Sequence, residues 1–98
     1  MATTRHSLAF VKQRLLFKLP NHIRNFVTHV AVTYQDLHLS YAISLKMTGG
    51  AYIRFEIDML RLSDDPERFE PDENVRVFLD MLARVNWDEA KEDYEFYP

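Results

Sequence analysis

The stretch LHLSYAISLKMTGGAYIRFEIDML, residues 37–60, decides the fold of this chain. Apolar and polar side chains alternate strictly in its first half, and the alternation resumes after two glycines, the only ones in the sequence. A period of two is typical of a strand with one buried face. Because glycine takes a positive φ without steric cost, the glycine pair indicates a chain reversal. The stretch therefore predicts a β-hairpin, with one strand from Leu37 to Met47 and a second from Ala51 onward.

The register of this hairpin follows from its facing pairs. A two-residue loop would set Leu45 opposite Arg54, which mixes core with charge, whereas a three-residue loop of residues 48–50 sets Leu45 opposite Ile53. A one-residue slip turns a whole strand inside out, so the all-apolar register is favoured. Three-residue hairpins commonly end in a left-handed residue, which suits Gly50. The predicted pairs are Met47–Ala51, Leu45–Ile53, Ile43–Phe55, Tyr41–Ile57 and Leu39–Met59.

A third strand is predicted from Phe26 to Tyr34, antiparallel to the Leu37 strand. Its loop is either Gln35–Asp36 or the four residues 34–37. Both loops keep one register, whose apolar pairs are Val32–Leu39, Val30–Tyr41 and Phe26–Leu45. The sheet is then a three-stranded antiparallel meander with two outer edges. The Phe26–Tyr34 edge carries neither lysine nor proline, so self-pairing into a homodimer is an open expectation.

A first helix is predicted from a cap at Thr3 or Thr4 to about Lys18. Leu8, Val11, Leu15 and Leu19 recur at helical spacing. A strand over residues 7–18 is the alternative, because several of these apolar positions also fit a period of two. Pro20 ends the helix, and a short helical turn is expected over residues 22–25.

Two further helices are predicted in the last third. Asp65-Pro66 begins a short helical turn, and Pro71 opens a helix whose apolar stripe is Val75, Phe78, Leu79, Leu82 and Val85. Asn86 ends that helix and caps a third one. The predicted fold class is α+β: a three-stranded antiparallel β-meander with helices packed on one face, in the order α-β-β-β-α-α.

The composition indicates one domain spanning residues 1–98. The chain is 47% hydrophobic, which suits a globular protein with a single core. It has no cysteine, so disulfide and thiolate chemistry are excluded. No apolar run approaches the roughly 20 residues of a membrane helix. We therefore expect a cytoplasmic protein that does not enter a membrane.

The polar side of the predicted sheet is the first candidate site. In the registers above, His29, Ala42 and Glu56 share one row, which would suit a small enzyme or a ligand-binding protein. The ordinary interpretation is the solvated face of an antiparallel sheet. There is no nucleophile motif, and the four histidines lack metal-ligand spacing. We expect no catalytic residue, no metal and no cofactor.

Charge is divided unevenly along the chain. Residues 1–62 hold eight lysines and arginines against three acids, while residues 63–98 hold four against twelve. The basic residues of the first helix, Lys12, Arg14 and Lys18, make a nucleic-acid binder the alternative function. The sequence pI of about 5.7 argues against it, because nucleic-acid-binding domains are usually basic.

The C-terminal segment is the preferred partner site, because it combines acids with aromatic side chains. The sequence predicts a small acidic non-enzymatic protein-interaction module that binds a basic partner protein. By analogy of composition, it could be an inhibitor or an immunity or anti-defence-type protein acting on a nucleic-acid-handling partner. The alternative for the aromatics is that they cover the core. The predicted partner-binding residues are Trp87, Asp88, Glu89, Glu92, Asp93, Tyr94, Phe96 and Tyr97.

Overall fold

The computed structural model describes residues 7–58 and 73–97, and these form an α+β fold. One four-stranded sheet has the strand order β1-β2-β3-β4; the first three strands are antiparallel, and β4 runs parallel to β3. The α+β class is confirmed, whereas the three-stranded meander is extended by a fourth strand. In chain order the elements are α1 (Leu8–Lys18), α2 (Asn21–Arg24), β1 (Val27–Gln35), β2 (Ser40–Met47), β3 (Tyr52–Asp58), α3 (Glu73–Met81), a 3₁₀ turn (Leu82–Arg84) and β4 (Tyr94–Phe96).

The β2–β3 hairpin has the predicted register. Leu45 lies opposite Ile53 and Ile43 opposite Phe55. Met47 N donates to Ala51 O at 2.9 Å, which closes a three-residue loop. Gly50 has a φ of 106°, so the second glycine occupies the position that other residues adopt only with strain.

The predicted β1–β2 register is wrong by four residues. Val30 lies opposite Leu45 instead of Tyr41, and Val32 lies opposite Ile43 instead of Leu39. An even shift keeps the same faces together, so the period-two pattern does not distinguish the two registers. The register also changes by one between Val27 and His29, where a bulge interrupts the pairing.

The loop between β1 and β2 consists of residues 36–39, since Gln35 pairs with Ser40. Leu37 and Leu39, predicted in the core as part of a strand, lie in this loop instead. Leu37 is 96% exposed. Leu39 has a positive φ of 48°, the left-handed conformation that a non-glycine residue adopts at a cost of roughly 1 kcal/mol. The loop must reverse the chain without a glycine, and Leu39 adopts the conformation that glycine would have supplied.

The first helix is shorter than predicted and begins at Leu8. Its N-cap is Ser7, whose side chain accepts a hydrogen bond from Phe10 N at 3.1 Å, so Thr3 and Thr4 are not the cap. The helix ends at Lys18 as predicted, and the strand alternative is wrong. Val11 and Leu15 are fully buried, whereas Phe17 on the opposite side is exposed.

The predicted stripe of α3 faces the core. Val75, Leu79 and Leu82 are buried, and Phe78 and Val85 pack against them from partly exposed positions. The turn at Asp65-Pro66, the helix start at Pro71 and the pair partner Met59 lie outside the described residues.

The predicted third helix is wrong, and the segment after Asn86 makes a single turn before it becomes a strand. Asn86 O accepts from Glu89 N at 3.1 Å and from Ala90 N at 2.9 Å. The Asn86 side chain accepts from Asp88 N, so the cap closes one turn only. The chain then extends, and Tyr94 and Phe96 pair beside Ile53 and Phe55. β3 is therefore not an edge strand.

The core lies between the helices and one face of the sheet. Its buried members come from α1, α2, α3, the 3₁₀ turn, the three long strands, the β2–β3 connection and the C-terminal segment. Within residues 7–58 and 73–97, no helix packs on the other face of the sheet, which is called the open face below.

Candidate interaction surface

The open face of the sheet brings together side chains from all four strands. It consists of the outward residues Ala31 and Thr33 of β1, Ala42 and Ser44 of β2, Arg54 and Glu56 of β3, and Glu95 with Tyr97 at β4. The sequence separated the polar sheet face from the acidic C-terminal segment as two candidates. The parallel pairing of β4 with β3 merges them into one surface.

The centre of the open face is a shallow depression floored by small side chains. Ala31 lies opposite Ser44, and Thr33 lies opposite Ala42. Arg54 and Tyr97 border the same depression. Its volume is about 130 Å³, well below the ~300–1,000 Å³ of small-molecule sites. The depression is therefore small for a site that encloses a whole small molecule.

Arg54 connects β3 to the C-terminal segment. Its Nη1 donates to Asp93 Oδ2 at 2.8 Å and to Glu95 Oε1 at 3.3 Å. Tyr52 N donates to the other Asp93 oxygen at 3.0 Å, and the Arg54 guanidinium lies 4.6 Å from the Tyr52 ring centroid. One arginine therefore fixes the position of two carboxylates on this surface.

These contacts change the acidity of both partners. The hydrogen bond from Arg54, followed by the one from Tyr52 N, holds the pKa of Asp93 below its ordinary value of 3.8. The hydrogen bond to Asp93 raises the pKa of Arg54 in turn. Both groups are solvent-accessible, so this ion pair orients the C-terminal segment more than it stabilises the fold.

Glu56 has a different histidine partner from the predicted one. His29 lies opposite Lys46, so the predicted row of His29, Ala42 and Glu56 is wrong, although Ala42 does face Glu56. His38, in the β1–β2 loop, has its Nδ1 at 3.3 Å from Glu56 Oε1. The His38 side chain is 63% exposed, whereas that of Glu56 is 18% exposed. The histidine of this pair therefore lies in solvent and not in the enclosed setting in which acid–base groups are tuned for catalysis.

Trp87, the first of the predicted partner-binding residues, belongs to the core. It is 1% exposed, and its ring meets Tyr94 edge-on at 5.5 Å. Its carbonyl oxygen accepts from Gly49 N at 2.7 Å and from the Thr48 hydroxyl at 3.3 Å. Trp87 therefore holds the C-terminal segment on the β2–β3 turn and is not available to a partner.

Two other predicted aromatics are also engaged within the fold. Tyr94 and Phe96 are partly buried, and Phe96 stacks on Phe78 of α3 at 5.4 Å. Tyr97 differs, because it is 56% exposed and borders the depression. Of the four predicted aromatics, Tyr97 is the one whose side chain is exposed.

The predicted acids divide into two groups. Asp88 accepts from the Thr48 hydroxyl at 2.7 Å, and Asp93 binds Arg54, so both hold the segment in place. The side chains of Glu89 and Glu92 are exposed and make no hydrogen bond or ion pair within the described part of the chain. Of the four predicted acids, these two have carboxylates without a described partner.

Sequence reasoning missed Glu95 as a member of this surface, and it missed the pairing of Arg54 with Asp93 and Glu95. The place of Arg54 on the polar side of the sheet follows from the period of two in β3. Glu95 and Tyr97 also alternate with Tyr94 and Phe96, a period of two that the helix prediction obscured.

The basic residues of α1 and α2 make contacts within their own region. The Arg14 guanidinium of α1 lies 5.4 Å from the Phe10 ring centroid, and Arg24 of α2 donates to Asn21 Oδ1 and to Phe17 O. Lys12 and Lys18 remain exposed. This arrangement is a short amphipathic helix rather than a continuous phosphate-binding stripe.

Across residues 7–58 and 73–97, no group of three or more His, Asp or Glu side chains comes together in a way that could hold a metal ion. The helices of these ranges are too short or too polar to cross a membrane. No known family model, curated protein or solved structure matches the chain.

Proposed function

We propose that this chain is a non-enzymatic protein-interaction module that binds a basic partner protein through the open face and its C-terminal border. The observation that carries the proposal is Tyr97, an exposed aromatic side chain beside a shallow depression and next to Glu95. Tyrosine is among the residues most favoured as interface anchors, since it combines a large apolar ring with a polar tip.

The charge of the surrounding surface supports a basic partner. The outward residues of β3 and the C-terminal segment include the carboxylates of Glu56, Asp93 and Glu95. The cations nearby are Arg54 and Lys91, with Lys46 on the same side of β2. Glu89 and Glu92 add two carboxylates without internal partners. Such rim charges raise the association rate with a positively charged surface and make binding sensitive to salt.

A nucleic-acid-handling protein is the partner class that this chemistry fits best. Proteins that bind phosphate backbones carry clustered lysine and arginine, and an acidic module can occupy the same surface. The module would then act as an inhibitor, or as an immunity or anti-defence-type protein. The small depression and the solvated His38–Glu56 pair favour binding over catalysis.

The test begins with affinity purification of the partner and then compares two variants of this chain. In the double variant Glu89→Gln/Glu92→Gln, we expect slower association and a smaller loss of affinity on adding salt. In Tyr97→Ala, we expect roughly tenfold or greater loss of affinity through faster dissociation, because the side chain that the partner would bury in the complex is removed. Binding kinetics at two ionic strengths measure both effects.

The controls follow from the contacts. Asp88 and Asp93 are left intact, because replacing them would also disturb the fold. Asp80→Asn on α3 removes an exposed carboxylate elsewhere and should leave binding unchanged. A purified partner that is not basic, or parental kinetics in both variants, would contradict the proposal.

A further inference from the structure

The outer edge of β1 is the longest unpaired strand edge in the described part of the chain. β1 stands first in the strand order and has β2 as its one neighbour among residues 7–58 and 73–97. Its nine residues include no lysine, arginine, acid or proline. Charged residues, prolines and bulges protect natural edge strands from pairing with another strand. Of these features, β1 has only the bulge near its start.

The hydrogen-bond pattern shows which residues of β1 present their backbone to this edge. Met47 N donates to Ala51 O, so odd-numbered residues of β2 direct their backbone groups at β3. Even-numbered residues face β1, in agreement with the bond from Thr48 N to Phe26 O. The backbone groups of Ala31 and Thr33, which pair with Ser44 and Ala42, are therefore directed at β2. The backbone groups of Val30 and Val32 are directed at the free edge.

We propose that two copies of this chain pair antiparallel along β1, about a two-fold axis at Ala31. In this register Val30 of one copy lies opposite Val32 of the other. Both residues direct their backbone N–H and C=O groups at the free edge, so they form a hydrogen-bonded pair. Both valines pack toward the core side. Ala31 faces its own copy, and His29 faces Thr33, so no two like charges or large side chains meet. This self-complementarity is the reason for choosing a second copy as the occupant.

The pairing has a geometric consequence for the open face. A two-fold axis between antiparallel strands of one sheet runs perpendicular to that sheet. The two sheets then join into one of eight strands, and both open faces lie on the same side. This inference does not depend on the proposed partner, and it concerns the backbone edge of β1, whose Ala31 and Thr33 side chains also belong to the open face.

Single-cysteine variants test the register, since the chain contains no cysteine of its own. At the axis, the two Ala31 positions form a non-hydrogen-bonded pair with Cα atoms about 4.5 Å apart, which is within disulfide range. The two Thr33 positions would lie about 13 Å apart, because they are offset by four residues. We expect Ala31→Cys to form an intermolecular disulfide under mild oxidation and Thr33→Cys to remain uncrosslinked.

Light scattering on the cysteine-free protein supplies the second readout. We expect a mass near twice 11.7 kDa for the parent chain. Ala31→Lys, which sets two ammonium groups face to face, should return the monomer mass, whereas Gln13→Lys on the exposed side of α1 should not. Circular dichroism checks that each variant is folded.

A monomer mass for the parent chain at micromolar to millimolar concentration would overturn the proposal. So would equal crosslinking of both cysteine variants, or crosslinking of Thr33→Cys alone, since either result requires another register or random collision. Loss of partner binding with the dimer intact would contradict only the proposed function.

Discussion

At the scale of the single residue, Gly49 has the most demanding position in the fold. A Cβ atom at this residue would lie 2.6 Å from Trp87 O and 2.8 Å from the backbone of Asp88. Gly49 also donates its N–H to Trp87 O and receives the Lys91 ammonium on its carbonyl at 2.6 Å. The glycine therefore allows the C-terminal segment to lie directly on the turn.

Gly49→Ala should destabilise the fold by about 1–3 kcal/mol, because a side chain would push two backbone segments apart. Urea unfolding followed by tryptophan fluorescence measures the change, and Trp87 is the only tryptophan in the chain. A midpoint equal to that of the parent protein would show that the segment can move away without cost.

The two glycines could be assigned to the turn from the sequence, but their different roles could not. Gly50 supplies the positive φ, which the hairpin pattern predicts. Gly49 makes room for Trp87, a residue 38 positions later, and no local pattern carries that information. Local sequence is equally uninformative for Trp87, because a tryptophan at this position is compatible with an interface anchor and with a core residue.

At the scale of the elements, β4 contributes more than its three residues indicate. Phe96 stacks on Phe78, and Tyr94 meets Trp87 edge-on, so the strand ties α3 and the C-terminal turn to the sheet. The strand also closes the edge of β3. Removing β4 would expose the edge of β3 and would take away the ring contacts of Phe78 and Trp87.

A chain that stops after Asp93 should be less stable by about 3 kcal/mol, the combined contribution of two partly buried aromatics and their ring contacts. A chain that stops after Phe96 keeps β4 and should unfold at nearly the parent midpoint. It lacks Tyr97, however, and should bind the proposed partner more weakly. Urea titration of the two truncations makes the comparison, and equal midpoints would contradict a structural role for β4.

The elements also show where sequence patterns succeed. The β2–β3 register was predictable because the turn contains two glycines and a slip would expose the core. The β1–β2 register was not, because a shift of four residues keeps Val30 and Val32 on the same face. The 36–39 loop has no turn signal, and Leu39 adopts a conformation that its side chain disfavours.

At the scale of the whole molecule, the described ion pairs of the acidic C-terminal segment all go to Arg54, a sheet residue of the basic first part. Lys12 and Lys18 of α1 stay exposed. The molecule therefore presents an acidic border beside the open face. The charge asymmetry was visible in the sequence, but the arrangement of the charges depended on β4.

The ion pair between Asp93 and Arg54 makes the stability of the whole molecule depend on pH. Because the pKa of Asp93 is lowered in the folded state, its contribution is present above the ordinary value of 3.8 and is lost as the pH falls through the lower, folded-state pKa. Asp93→Asn should therefore be less stable than the parent at pH 7, and this difference should shrink below about pH 4.

Denaturation at a series of pH values from 7 downward measures this difference. Glu89→Gln is the matched control, because Glu89 has no described partner, and its curve should run parallel to that of the parent. A difference for Asp93→Asn that stays constant through the acid range would show that the carboxylate charge is not responsible.

The parallel strand β4 also has a consequence for biogenesis. The ribosome delivers β3 to solution well before Tyr94–Phe96, since the whole of α3 is synthesised between them. During that interval the edge of β3 has no strand beside it, and its backbone groups can pair with another nascent chain. The sheet is therefore completed only after residues 94–96 have left the ribosome, and until then an emerged β3 can pair with another chain.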